Sequence, residues 1–478
     1  MTDSGITAER PLHHVSSWKV FGVFCLVSFL VLLGVLFIPW DVQAPDDSDL
    51  HYTPPTLDAG KNAFTGLEAA GVACVTRFPK AGEPERLWTD LIMAIGSKSE
   101  KWDPAFADEV LKANEASFIE LEKGLACERY ASPMCQDFNT LLPWLQRHKR
   151  STQLLCLKSK RAQLVGDPVA AAKSATQAWR LGRLVTDDAN GLVEWLVGIA
   201  CQSIGLARMN EVISDAKTPE PVLRDLLAQL DGWHPQGIIR GCKQAMQEEY
   251  RGSRKIVDEC RRGNAGKFID SNKFLDCWGR IPYSIKPNMM ARLMVPLYRN
   301  TIENADRIYA KVNLDYPGKP KYPVTGADET AIFVGPNGLG KVLFFSFAPT
   351  SDRVISKKCY IQAYVASLRL KIALRLYEQK HGQLPDNLTA LVPEYLNEVP
   401  QDPYDGNQFR YSKAGRKIWT IGFDLIDHGG NLFRDEEMRD SPKACKSDVG
   451  IRLGTREMKP TPAPPPAAPG SKPEENPF

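Results

Sequence analysis

Val20–Trp40 reads VFGVFCLVSFLVLLGVLFIPW, a run without one charged side chain. At about 1.5 Å of rise per residue a helix of this length reaches roughly 30 Å, the thickness of a bilayer's hydrocarbon core. Arg10 and Lys19 precede the run, whereas Asp41, Asp46, Asp47 and Asp49 follow it before the next lysine, Lys61. Excess basic charge keeps the short flank in the cytoplasm, so residues 1–19 are expected to be cytoplasmic and the bulk of the chain periplasmic. A cleaved signal peptide is the rival reading, because Val42-Gln43-Ala44 loosely resembles a cleavage site. The apolar run is too long for an ordinary signal core, and Pro45 would follow the cut, so an uncleaved single-pass anchor of a bacterial inner membrane is the expectation.

Working outward, residues 41–58 are rich in Pro and Asp without an apolar period and are expected to form a linker. From 59 to 312 the periodicity is helical. Asp103-Pro104, Gly166-Asp167-Pro168 and Thr218-Pro219-Glu220 are the caps and turns expected between helices. The expected fold class is mainly α: the membrane helix, an irregular α-helical array (solenoid or bundle), and a small α+β C-terminal domain. No 34-residue repeat is sustained, so a tetratricopeptide array is not expected. A Pro/Gly-rich connector spans 313–350, the C-terminal module 351–455 opens with a long helix over Lys357–His381, and a Pro-rich tail covers 456–478.

The 478 residues carry 60 basic and 57 acidic side chains, a net charge of +3, which gives no footprint for nucleic acid. Of eleven cysteines, Cys25 lies in the apolar run. The other ten, an even number in an oxidising compartment, suggest disulfides. Cys127 with Cys135 is the most local pair, Cys242, Cys260 and Cys277 are further candidates, and Cys156 and Cys201 read as small buried hydrophobes.

Gly335-Pro336-Asn337-Gly338-Leu339-Gly340-Lys341 fits the phosphate-loop spacing. Val342 stands where a magnesium-binding hydroxyl is required, so a plain connector and no nucleotide are expected. The histidines are scattered, and neither a zinc-protease pair nor a serine-nucleophile elbow occurs. The acid pairs Asp187-Asp188 and Glu248-Glu249 read as helix caps and solvated faces, because helix neighbours do not face one another. No catalytic residue is assigned. An extracytoplasmic hydrolase or ligand-binding protein with its site in the helical domain remains the alternative to a non-enzymatic scaffold.

The C-terminal module carries an ordered set of phrases: Leu376-Tyr377, Gly382-Gln383-Leu384-Pro385, Pro400-Gln401-Asp402-Pro403-Tyr404, Gly406-Asn407, the strand-like FRYS and IWTIG, and Ser447-Asp448-Val449-Gly450. In this order they resemble the globular head of the major pseudopilin of type II secretion systems. The resemblance implies a helix beside a small antiparallel sheet, envelope or secretion-system proteins as partners, and a closing loop that holds calcium. Asp424, Asp427 and Asp448 match or neighbour the calcium positions, with Asn431 and Asp435 as helpers. Calcium takes six to eight hard oxygens, and Lys443, Lys446 and Arg434 in the same loop depart from that chemistry. A disulfide from Cys445, to Cys359 for example, is the competing fastening. The apolar run lacks the glutamate of a fibre subunit, so assembly into a fibre is not expected. The whole chain resembles membrane-anchored envelope families of bacteria such as planctomycetes, a resemblance that implies no activity.

Overall fold

The computed structural model describes residues 17–79, 86–89, 91–92, 102–134, 142–268, 273–316, 319, 335–347, 351–432 and 448–454. The chain is mostly helical, and its first described element is α1 (Ser17–Phe37), apolar from Val20 onward and largely exposed. It is long and apolar enough to cross a membrane. The helix stops before Pro39, as it must: proline pushes the preceding residue out of the helical region, and Ile38-Pro39-Trp40 run on as irregular chain.

Helices α2 (Ala63–Ala73), α3 (Pro104–Ala113), α4 (Glu115–Ala126), α5 (Pro143–Leu164), α6 (Pro168–Asp187) and α7 (Leu192–Ser214) follow. The starts obey local chemistry. Asp103 accepts from the Phe106 N–H at 3.0 Å and Asp167 from the Ala170 N–H at 2.9 Å. A proline then occupies the first helical position, where its missing N–H costs nothing. A two-stranded ribbon, β1 (Arg77–Phe78) against β2 (Arg86–Leu87), interrupts the stretch expected to be nearly all helical.

Helices α6 and α7 cross closely. A Cβ on Gly205 would lie 2.4 Å from the Trp179 nitrogen, and one on Gly182 would lie 2.3 Å from the Gln202 nitrogen. Glycine is required at both positions because backbone meets backbone there. Ala171, Ala172, Ala175 and Ala178 keep the rest of the α6 face low. By length and composition α7 could also cross a membrane, but Trp195, Cys201, Leu206 and Met209 are fully buried in protein, which makes it a core helix.

Helices α8 (Glu220–Asp231), α9 (Gln236–Glu259), α10 (Lys273–Gly279) and α11 (Pro287–Asn304) complete the array, with a π turn at Cys260–Asn264. The linker does not hang free. Tyr283 N–H donates to Leu36 O at 3.3 Å, Asn288 N–H to Asp41 Oδ2 at 2.8 Å and Arg292 Nε to Gln43 O at 3.0 Å. The Lys286 ammonium lies 3.9 Å from the centre of the Trp40 ring and donates to Trp40 O. Further along, Gln247 Nε2 donates to Asp49 O at 2.9 Å, Arg299 Nε to Asp49 Oδ2 at 2.9 Å, and the Tyr250 hydroxyl to Asp47. Residues 36–49 are thus a strap laid along α9 and α11.

After α12 (Gly338–Phe347) comes α13 (Ser351–His381), 31 residues long and six longer at its start than the sequence suggested. It packs on the helical array, and one continuous cluster of buried side chains runs from Leu50 to Leu453. Its basic side chains end on the C-termini of other helices, where unpaired carbonyls and the helix dipole favour cations. Lys358 Nζ donates to Ala305 O at 3.0 Å and Arg307 O at 2.6 Å, just beyond α11. At the end of α7 and just beyond it, Arg375 donates to Ile213 O, to Ala216 O at 3.2 Å and to Thr218 O at 2.9 Å. Arg369 Nε meets Asp231 Oδ1 at 2.5 Å at the end of α8. The remainder is a three-stranded antiparallel sheet, β3 (Arg410–Ser412), β4 (Lys417–Thr420) and β5 (Val449–Arg452), with Tyr411 opposite Ile418 and Ile418 opposite Ile451.

Candidate functional site

A set of buried ionisable groups lies where α5, α6, α7 and the chain around Arg129–Ser132 converge. Its centre is Glu194, the third residue of α7. Glutamate at this position reaches back over the open N-terminus, and Glu194 Oε2 accepts from the Asn190 N–H at 2.7 Å. The same oxygen accepts from Ser132 Oγ at 2.9 Å, while Oε1 accepts from the Tyr130 hydroxyl at 2.7 Å and Trp144 Nε1 at 3.1 Å. Tyr130 Oη also lies 3.1 Å from His148 Nε2. With the tyrosine proton on Glu194, the histidine is the donor to Oη. Phe64 of α2 covers the group, edge-on to Tyr130, Trp144 and His148 at 5.8, 5.9 and 6.1 Å between ring centres.

Beside it, Asp188 is 4 % exposed. It takes a two-pronged bond from Arg129, Nε at 2.8 Å and Nη2 at 3.0 Å, together with the Tyr130 N–H at 3.1 Å. Arg240 Nη2 adds a fourth donor at 3.3 Å. Asp187 is half-buried, and desolvation raises its pKa to about 6 against the opposing pull of Arg183 and Arg240. Glu248 is 7 % exposed, and Glu249 accepts from the Leu192 N–H at 3.0 Å. The two acid pairs therefore do not form the caps and solvated faces expected of them. The cap ahead of α7 is Gly191, with φ 146°. The acids point inward because three arginines and two backbone N–H groups need acceptors there.

The electrostatics set what this cluster can do. Burial lowers the pKa of His148 to about 3, so its ring is neutral. Burial first, and then the charge of Glu194, push Tyr130 well above its ordinary value. Burial raises Glu194 as well, although its four donors work in the opposite direction. Neither His148 nor Tyr130 exchanges a proton near neutral pH. The arrangement is a lock that joins the loop at Arg129–Ser132 to the start of α7. Sequence reasoning missed Glu194, yet a signal was there: a lone acid in the first turn of the otherwise apolar LVEWLVGIACQ.

The predicted calcium residues all lie on or beside the turn that follows β4. Asp424 Oδ1 accepts from the Ile426 N–H at 3.1 Å, and Oδ2 meets His428 Nε2 at 2.9 Å. Asp427 Oδ1 accepts from Trp419 Nε1 and the Gly429 N–H, both at 2.9 Å. Asp448 is fully buried, with Oδ1 on the His428 N–H at 3.1 Å and Oδ2 on the Gly430 N–H at 2.7 Å. Each carboxylate answers a different protein donor, and among the described residues no three acidic, cysteine or histidine groups converge on one point. Residues 433–447 of the same loop lie outside the described residues. Asn431 joins through its backbone, whose carbonyl accepts from the Asp448 N–H at 2.7 Å, and Asp435 lies outside the described residues.

The Gly335–Lys341 loop turns its N–H groups inward. Asn337 N–H donates to Tyr283 O at 2.9 Å and Gly340 N–H to Ser284 O at 3.3 Å, so these amides hold the start of α12 against the chain before α11. Nine cysteines are described, and all are free thiols. Cys242 and Cys260 sit at opposite ends of the α9 run, too far apart to bond, and Cys277 is exposed. Cys156 and Cys201 are buried as expected. Cys135 and Cys445, the other halves of two suggested pairs, lie outside the described residues.

No family model, curated protein or solved structure matches this chain.

Proposed function

We propose that this chain is a membrane-anchored, non-enzymatic scaffold of the bacterial envelope. Its N-terminus is cytoplasmic, its body is periplasmic, and its C-terminal head, similar to a pseudopilin's, docks proteins of the envelope or of a secretion system. The observation that carries the reading is the strap: residues 36–49 are bonded along α9 and α11, so the body is fixed to the end of the apolar helix. A tether that only confines a domain near a membrane needs no such contacts. A body that must present one face at a set height does.

The head has a surface suited to that role. The turn after β4 holds Leu425 at φ 58° and leaves it 41 % and Ile426 56 % exposed, beside the fixed Asp424, Asp427 and Asp448 network. Paired apolar side chains on a rigid turn are a docking feature rather than a folding one. The test is chemical crosslinking of the full-length protein in native membranes, compared with the double variant Leu425→Asp/Ile426→Asp. Crosslinking to an envelope protein should fall about fivefold or more in the variant, while its melting temperature stays unchanged. Equal crosslinking in both proteins would refute the docking role.

A further inference from the structure

We infer that the surface built by the π turn and α10 is a second membrane contact, seated on anionic phospholipid headgroups around the foot of α1. This rests on the proposed reading of α1 as a membrane anchor.

The depth of this surface is set by one bond. Tyr283 N–H donates to Leu36 O, inside the apolar run, so the chain at Ile281–Tyr283 stands at the boundary of the hydrocarbon whatever the tilt of α1. Trp40, held under the Lys286 ammonium, marks the same level, where tryptophan and lysine commonly anchor membrane proteins. Residues 259–286 carry Arg261, Arg262, Lys267, Lys273, Arg280 and Lys286 against Glu259, Asp270 and Asp276.

The two described acids are engaged within the protein. Glu259 accepts from Arg262 and from Asn264 Nδ2 at 2.8 Å, and Asp276 Oδ1 takes the Gly266 N–H at 2.6 Å. Arg261, Lys267, Lys273 and Arg280 are exposed. Arg280 lies across Gly263, whose φ of 87° and missing Cβ let the guanidinium pass, since a Cβ there would stand 2.0 Å from Nε. Phe268 and Trp278 lie half-buried among these cations. Exposed cations with interleaved aromatics at the depth of the headgroups match an anionic lipid surface.

The test uses the full-length chain in nanodiscs of phosphatidylcholine alone or with a third phosphatidylglycerol, read by hydrogen exchange at Cys260–Lys267 and Lys273–Gly279. Exchange should slow roughly tenfold in the anionic discs, and the difference should shrink in high salt as the charges are screened. The variant Arg261→Glu/Lys267→Glu/Lys273→Glu, with its melting temperature unchanged, should lose the difference. Should that variant fail to fold, the salt series on the native chain decides alone. Equal exchange in both discs, while the chain still floats with the lipid, overturns this inference and leaves the anchor standing. A chain that does not float with lipid overturns the anchor reading, and this inference with it.

Discussion

Replacing Gly205 by leucine is expected to destabilise the protein by about 3 kcal/mol or more, a large share of the stability of an ordinary domain. The reason is geometric. A Cβ at this position meets the Trp179 nitrogen at 2.4 Å and its Cα at 2.7 Å, and backbone cannot move aside as a flexible side chain can. Leucine must therefore part α6 from α7, opening the seam of Ala171, Ala175 and Ala178. Gly205→Ala should already be harmful for the same reason. Gly252, inside α9, has nothing within 4 Å of its would-be Cβ. There alanine should stabilise by about 0.5–1 kcal/mol, because only the helix propensity changes. Thermal melts of the three variants check this, and a neutral Gly205→Ala would contradict the close crossing.

The second large effect is expected at Glu194. Glu194→Leu keeps the bulk but leaves the Tyr130 hydroxyl, Trp144 Nε1, Ser132 Oγ and the Asn190 N–H without their acceptor. Each buried donor left unsatisfied costs about 1–3 kcal/mol, so with four of them a total of about 3 kcal/mol or more is expected. Tyr130→Phe removes one donor and leaves three, and should cost about 1–2 kcal/mol. Denaturant titration of both variants should show that order. If Glu194→Leu unfolded at the same denaturant concentration as the native chain, the lock at the start of α7 would be refuted.

The elements legible in the sequence were those written in local chemistry. Asp103-Pro104 and Asp167-Pro168 announce helix starts because cap and first position are adjacent in the chain, and FRYS with IWTIG pair because a short turn sets their register. Asp187-Asp188 and Glu248-Glu249 misled for the opposite reason. Asp188 is answered by Arg129 and Arg240, and Glu249 by the Leu192 N–H, all more than fifty residues away, so nothing nearby announces these partners. Likewise Lys358, Arg369 and Arg375 look like an ordinary solvated helix face, and only the fold brings three helix ends to meet them. The calcium expectation followed residue type and order. The structure adds direction: Trp419, His428 and two glycine N–H groups already claim the carboxylates of Asp424, Asp427 and Asp448.

We propose that α1 crosses a membrane and that the strapped body lies wholly on its far side. Protease added to intact spheroplasts producing the full chain with an N-terminal tag measures this directly. The account predicts that the body is cleaved from outside and that the tag survives on a short protected fragment reaching little beyond residue 40. A full-length chain that resists protease until the membrane is lysed would contradict it.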